Sequence, residues 1–193
     1  MGEIKAIETE YDGYRFRSRL EAKWAVFFNA AGIEYRYEAE GFEVDGVRYL
    51  PDFYLPGFDV FAEVKGTDAK LFESSSKIGR CIDFDSTPIS KGLILLGDIP
   101  YYSYPDYPAH CMLYWDEGVC VKLVRFKMRR RGFPTELKTV SGCFGCSTAE
   151  IPREATVVPT ILDESCYGDK DAGIEAEAYH RARKAHFEFG ERP

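Results

Sequence analysis

The stretch from Tyr49 to Lys65 constrains this chain more than any other. It reads as two short strands, rich in aromatic and β-branched residues, joined at the turn pair Pro56-Gly57. Three charged residues, Asp52, Glu63 and Lys65, sit inside these apolar strands. Burying a charge without a partner is costly, so their presence needs a reason. Side chains alternate between faces along a strand, so Phe61, Glu63 and Lys65 share one face. If Leu55 pairs with Phe58 across a two-residue turn, Asp52 lies opposite Phe61. Glu63 is then its diagonal neighbour, roughly 7–8 Å away between Cα atoms. A four-residue turn keeps this parity, whereas a three-residue turn sends Glu63 to the other face. Two carboxylates so placed, with an ammonium beside them, can hold a divalent cation from one side.

The tripeptide Glu-x-Lys is not itself informative, because it occurs four times: Glu3/Lys5, Glu21/Lys23, Glu63/Lys65 and Glu136/Lys138. Only Glu63/Lys65 lies on an apolar strand that follows a Pro-Asp strand. The alternative reading is an ordinary cross-strand Glu–Lys pair on a solvated face.

Upstream, a helix is expected from about Arg19 to Ala31, stopped by Gly32. Leu20, Trp24, Phe27, Phe28 and Ala31 recur at the spacing of one helical face. Glu21 has two readings. Ser18-x-x-Glu21 is a capping box, and Glu21 could equally reach into the carboxylate cluster as a third acid. Ile33–Val44 alternates loosely as a strand, with Gly41 or Asp45-Gly46 as the break, and Asp45-Gly46 suggests a turn into the Pro51-Asp52 strand. Downstream, Thr67 or Asp68 caps a second helix to about Ile82, which carries Lys70, Lys77 and Arg80. The run Gly92–Gly97 is a strand buried on both faces, expected to run parallel to the Glu63 strand. The Tyr- and Pro-rich segment Ile99–Pro108 reads as loop. Cys111–Trp115 and Val119–Phe126 form a second expected hairpin. It leads into Lys122, Arg125, Lys127, Arg129, Arg130 and Arg131, which suit either phosphate contacts or a protected edge strand.

Beyond Gly132 the pattern loosens. Cys143-x-x-Cys146 is half of a zinc knuckle, with Cys166, His180, Cys111 or Cys120 available to complete a structural zinc site. Asp171 to about Phe189 reads as a helix with Ile174, Ala178, Ala182, Ala185 and Phe189 on one face. It also carries a second basic cluster from His180 to Lys184. The organisation is a core over residues 1–131 followed by an extension over 132–193. With 193 residues and 45% hydrophobic content, a real core is affordable. No apolar run is long enough to cross a bilayer and no signal peptide is apparent, so a cytoplasmic protein with reduced cysteines is expected. The net charge of −7 weighs against nucleic-acid binding by the chain as a whole and leaves that role to the local basic block.

Taken in order, a helix bearing Glu21, a strand with Pro51-Asp52, a strand with Glu63-Val64-Lys65, a helix and a buried strand resemble the core of the PD-(D/E)XK nuclease superfamily. The phrases Arg17-Ser18-Arg19-Leu20-Glu21-Ala22-Lys23-Trp24 and Tyr49-Leu50-Pro51-Asp52-Phe53 are similar to those of small nuclease-like proteins of phages and mobile elements. The likeness spans about residues 14–98. It implies an α/β, restriction-endonuclease-like three-layer sandwich with a mixed central sheet flanked by helices, plus the C-terminal extension. It also implies Mg2+- or Mn2+-dependent hydrolysis of phosphodiesters, in DNA rather than RNA. Asp52, Glu63 and the Val64 carbonyl would be the metal ligands and Lys65 the group beside the attacking water. Glu21 would join them as the helical glutamate, and a homodimer is compatible with the family. Such hard oxygen ligands suit both ions. The competing expectation is a catalytically silent nuclease-fold module that binds DNA or protein in defence or counter-defence.

Overall fold

The computed structural model describes residues 7–44, 46–66, 89, 92–101, 106–115, 119–128, 135–145, 160–163 and 172–187. The expected helix over 68–82, with Lys77, lies outside them, as do Arg129, Arg130, Arg131, Cys146 and Cys166.

A two-stranded ribbon, β1 (Thr9–Tyr11) and β2 (Tyr14–Phe16), precedes helix α1 (Arg19–Ala30). Ser18 caps α1 by accepting from the Glu21 N–H. The other end closes as a Schellman motif. Gly32, at φ +66°, donates to the Asn29 carbonyl, and Ile33 donates to that of Phe28. The apolar face of α1 buries Ala22, Trp24, Ala25, Phe27 and Phe28.

The loosely alternating stretch after α1 is two strands rather than one. These are β3 (Arg36–Tyr37) and β4 (Phe42–Val44), separated at Glu38, whose backbone turns to φ +45°. The Glu38 N–H donates to the Asp52 carbonyl at 2.9 Å, which holds this left-handed residue in place. β4 pairs with β5 (Val47–Tyr49) as a hairpin, Val44 opposite Val47.

The main sheet runs in the order β11-β10-β9-β8-β7-β6-β3, with β12 pairing β9 off this path. Its members are β6 (Phe53–Leu55), β7 (Val60–Val64), β8 (Leu93–Leu96), β9 (Asp106–Trp115), β10 (Val119–Lys127), β11 (Glu136–Gly145) and β12 (Thr160–Asp163). β7 and β8 are parallel, with Glu63 opposite Leu95, and the other pairings are antiparallel. The fold is therefore α/β with a mixed sheet. All four residues of β8 are buried, as a strand covered on both faces requires.

Two elements differ from the sequence expectation. The Tyr/Pro segment is not all loop, because β9 begins at Asp106 and pairs Pro108 with Ile161 of β12. β10 is not an edge strand, because β11 lies beside it. Strands β11 and β12 both come from the stretch beyond Gly132.

Helix α2 (Ala172–Lys184) comes from the same stretch and packs against α1. Its Ala178, Tyr179 and Ala182 share one core with Trp24, Phe27, Phe53, Leu55, Ala62, Val64, Ile94, Leu96, Met112 and Phe126. The Phe27 and Tyr179 rings lie 4.4 Å apart. Trp24 Nε1 donates to the Gly97 carbonyl at 2.8 Å, tying α1 to the end of β8. Among the described residues, no helix is long and apolar enough to cross a membrane.

Candidate active site

The geometry begins at the β6–β7 turn. Leu55 pairs with Val60, so four residues, Pro56 to Asp59, make the connection. The Phe58 N–H returns to the Leu55 carbonyl and the Asp59 N–H to that of Pro56, with Asp59 at φ +53°. Continued by one residue beyond the Phe53–Ala62 pair, this register sets Asp52 directly opposite Glu63. The two acids are thus one step closer than the diagonal arrangement expected from a two-residue turn, and their parity is the same.

Both carboxylates are buried, at 4% exposure each. Asp52 Oδ2 accepts from the Val64 N–H at 2.7 Å, and Oδ1 accepts from Arg17 Nη2 at 2.9 Å. Glu63 Oε2 accepts from the Tyr49 hydroxyl at 2.9 Å, and Oε1 pairs with Lys65 Nζ. Burial, reinforced by the charges of Glu63 and Glu21, pushes the Asp52 carboxyl up to about 8. The Val64 N–H and the Lys65 charge oppose that rise. A carboxyl raised this way gains from any cation brought beside it.

Glu21 serves the start of the helix. Its Oε1 accepts from Ser18 Oγ at 2.7 Å, and its Oε2 accepts from the Arg17 N–H at 3.0 Å and the Tyr37 hydroxyl at 2.6 Å. The closing bond comes from Arg17, one residue before the N-cap that a standard capping box would use. Glu21 reaches the acidic pair through its charge, as its effect on Asp52 shows.

Arg17, Tyr37, Glu38 and Tyr49 complete the surroundings, and sequence reasoning had assigned none of them a part. Arg17 bridges Asp52 and Glu38, its Nε lying 2.7 Å from Glu38 Oε1. The available signals were positional: Arg17 abuts the cap Ser18, and Tyr49 stands three residues before Asp52.

The basic block divides. Arg125 is turned inward at 2% exposure and pairs with Glu175 of α2 at 3.0 Å, so it is a core ion pair rather than a phosphate contact. Lys127 is half-buried, and Lys122 lies 4.5 Å over the Tyr114 ring. On α2, His180, Arg181, Arg183 and Lys184 are exposed, with Arg181 on Glu177 and Arg183 over Tyr101.

Of the cysteines, Cys143 lies on β11 and Cys111 is buried on β9. Among the described residues, no group of three or more His, Cys, Asp and Glu side chains is placed to hold a metal ion. Asp52 and Glu63 are a pair of opposed carboxylates. Their hard oxygens are of the kind that suits Mg2+ or Mn2+.

No family model, curated protein or solved structure matches this chain.

Proposed function

We infer that this chain is a metal-dependent endonuclease hydrolysing phosphodiester bonds in DNA. The observation that carries this reading is the register that sets Asp52 opposite Glu63, both buried, with Lys65 paired to Glu63. Acids are tolerated in an apolar strand when they share a cation, and two opposed carboxylates beside an ammonium suit phosphoryl chemistry. The finer architecture is a restriction-endonuclease-like sandwich, supported by an antiparallel β6–β7 pair followed by parallel β8. The preferred setting is the cytoplasm.

Asp52 and Glu63 would hold Mg2+ or Mn2+ with the Val64 carbonyl. Bound there, the ion would polarise a phosphoryl oxygen and lower the pKa of its water. The chain's own residues do the positioning. The Val64 N–H fixes one oxygen of Asp52, and Tyr49 fixes one of Glu63. Lys65, partly exposed at 23% and paired to Glu63, would steady charge developing on the phosphate and orient the attacking water.

The test is Mg2+- or Mn2+-dependent nicking of plasmid and branched DNA. Asp52→Ala and Glu63→Ala are each expected to lose at least about a thousandfold in rate, the scale of removing a group that acts in the transition state, while keeping the native circular dichroism spectrum. Full activity in either variant rules out the assignment.

One observation favours a second reading, that of a silent nuclease-fold binding module. Every oxygen of Asp52 and Glu63 already has a donor within the chain. Binding of branched DNA with no cleavage under any divalent ion would select this module.

A further inference from the structure

We propose that Arg17 is the internal counter-cation of Asp52, that it gives up this place to the metal ion, and that Glu38 then holds its freed guanidinium at the site as a phosphate-binding group. This rests on the metal-dependent reading above.

The four oxygens of Asp52 and Glu63 are not equally held. Asp52 Oδ2 is bonded to a buried backbone donor, the Val64 N–H at the end of β7, which does not move with a side chain. Asp52 Oδ1 is bonded to a side chain that is 55% exposed, Arg17. Of the two Asp52 oxygens, the Arg17-bound one has the donor that an incoming cation displaces more easily.

Arg17 has a second anchor. Its Nε lies 2.7 Å from Glu38 Oε1, and the Glu38 side chain is 30% exposed. Losing Asp52 would therefore not send Arg17 into solvent. It would pivot about the Glu38 contact with its Nη groups free. A guanidinium presenting parallel N–H donors matches the oxygens of a phosphodiester better than an ammonium does.

Glu38 is itself held under strain. It is not glycine, yet it adopts φ +45°, and its N–H is pinned by the carbonyl of Asp52. One residue thus fixes both the strained backbone and the metal-facing carboxylate. Glu38 extends the β3–β6 pairing by one bond, its N–H to the Asp52 carbonyl, although β3 itself ends at Tyr37. Its carboxylate serves Arg17.

Charge supports the exchange. Once Asp52 is ionised, it and Glu63 are offset internally by Arg17 and Lys65. A divalent cation arriving at the pair makes Arg17 superfluous at Asp52 and electrostatically repelled by it. A phosphate at the mouth of the site then becomes its natural partner.

The experiment measures binding of a duplex DNA oligonucleotide at pH 8.5, where Asp52 is ionised, with and without Ca2+, used in place of Mg2+ to keep the duplex uncut. With Ca2+ present, Arg17→Gln is expected to lower DNA affinity about tenfold, the size of one charge-assisted contact. Without a divalent ion, where Asp52 engages Arg17, the change should stay within about twofold. A loss of equal size in both conditions, or in neither, overturns the exchange.

The unaltered chain gives an independent reading should the variant fold poorly. In NMR of isotope-labelled arginine side chains, the Arg17 Nη signals are expected to be distinct and slowly rotating in EDTA. They should broaden and merge on saturation with Mg2+ followed by calorimetry, with Arg17→Lys identifying the signals. Mg2+ binding with these signals unmoved overturns the exchange alone. No Mg2+ binding at all removes the metal-dependent reading, and this proposal with it.

Discussion

At the scale of the residue, Asp52 carries the sharpest prediction. Its carboxyl lies above the usual carboxylate range because burial and two neighbouring acids penalise the anion. The folded state therefore holds a proton that the unfolded chain has released between about pH 4 and pH 8. Stability contributed by this group is present at low pH and is lost as the pH rises towards 8. Asp52→Asn, measured by urea unfolding in EDTA, should remove that loss and be more stable than the unaltered chain at pH 8.5. If the two chains have parallel stability profiles from pH 5 to 8.5, Asp52 is not raised. His110 acts in the opposite sense. Wholly buried beside Trp24 and Tyr179, it is held neutral, its pKa lowered to about 3. Its contribution is lost as the pH falls below about 6.5, so the comparison at Asp52 belongs on the alkaline side. The acidic pair was legible in the sequence because strand parity is arithmetic and charges inside apolar strands are rare. Arg17 and Tyr49 were not, since both reach the site through side-chain contacts that no periodicity encodes.

At the scale of the element, α1 shows which signals are readable. Ser18 and Gly32 stand at its two ends, and their chemistry is local: one hydroxyl accepts an orphan N–H, and one backbone turns left-handed. Nothing lies within 4 Å of where a Cβ on Gly32 would sit. Gly32→Ala should therefore cost only the conformational penalty, about 1 kcal/mol by denaturant unfolding. A cost near zero would mean that the motif opens in solution. The buried strand β8 and its parallel pairing were equally legible, since four consecutive apolar residues between glycines suit a strand covered on both faces. By contrast β3 and β4 were merged, because Glu38 breaks the strand through a backbone angle that a glutamate does not advertise. β11 and the start of β9 were missed because their pairing partners are distant in sequence: Cys120 pairs with Gly145, and Pro108 with Ile161.

At the scale of the whole molecule, the stretch beyond residue 131 is part of the structure that carries the site. α2 places Ala178, Tyr179 and Ala182 in the core, and Glu175 joins Arg125 deep between helix and sheet. Glu175 also accepts from the Met128 N–H at 3.1 Å. Removing one partner of such a buried pair strips the other of its charge-assisted bonds. Glu175→Ala should cost about 3–5 kcal/mol in thermal or urea unfolding, far more than any exposed ion pair. A loss below about 1 kcal/mol would show that α2 is dispensable to the core. Trp24 stands at this junction, wholly buried, edge-on to the Phe27, Tyr179 and His110 rings and tied to Gly97. Its indole is a built-in fluorophore: with Trp115 replaced by phenylalanine, a single emission band would report whether the C-terminal helix is seated, and its red shift would time that helix's departure during unfolding.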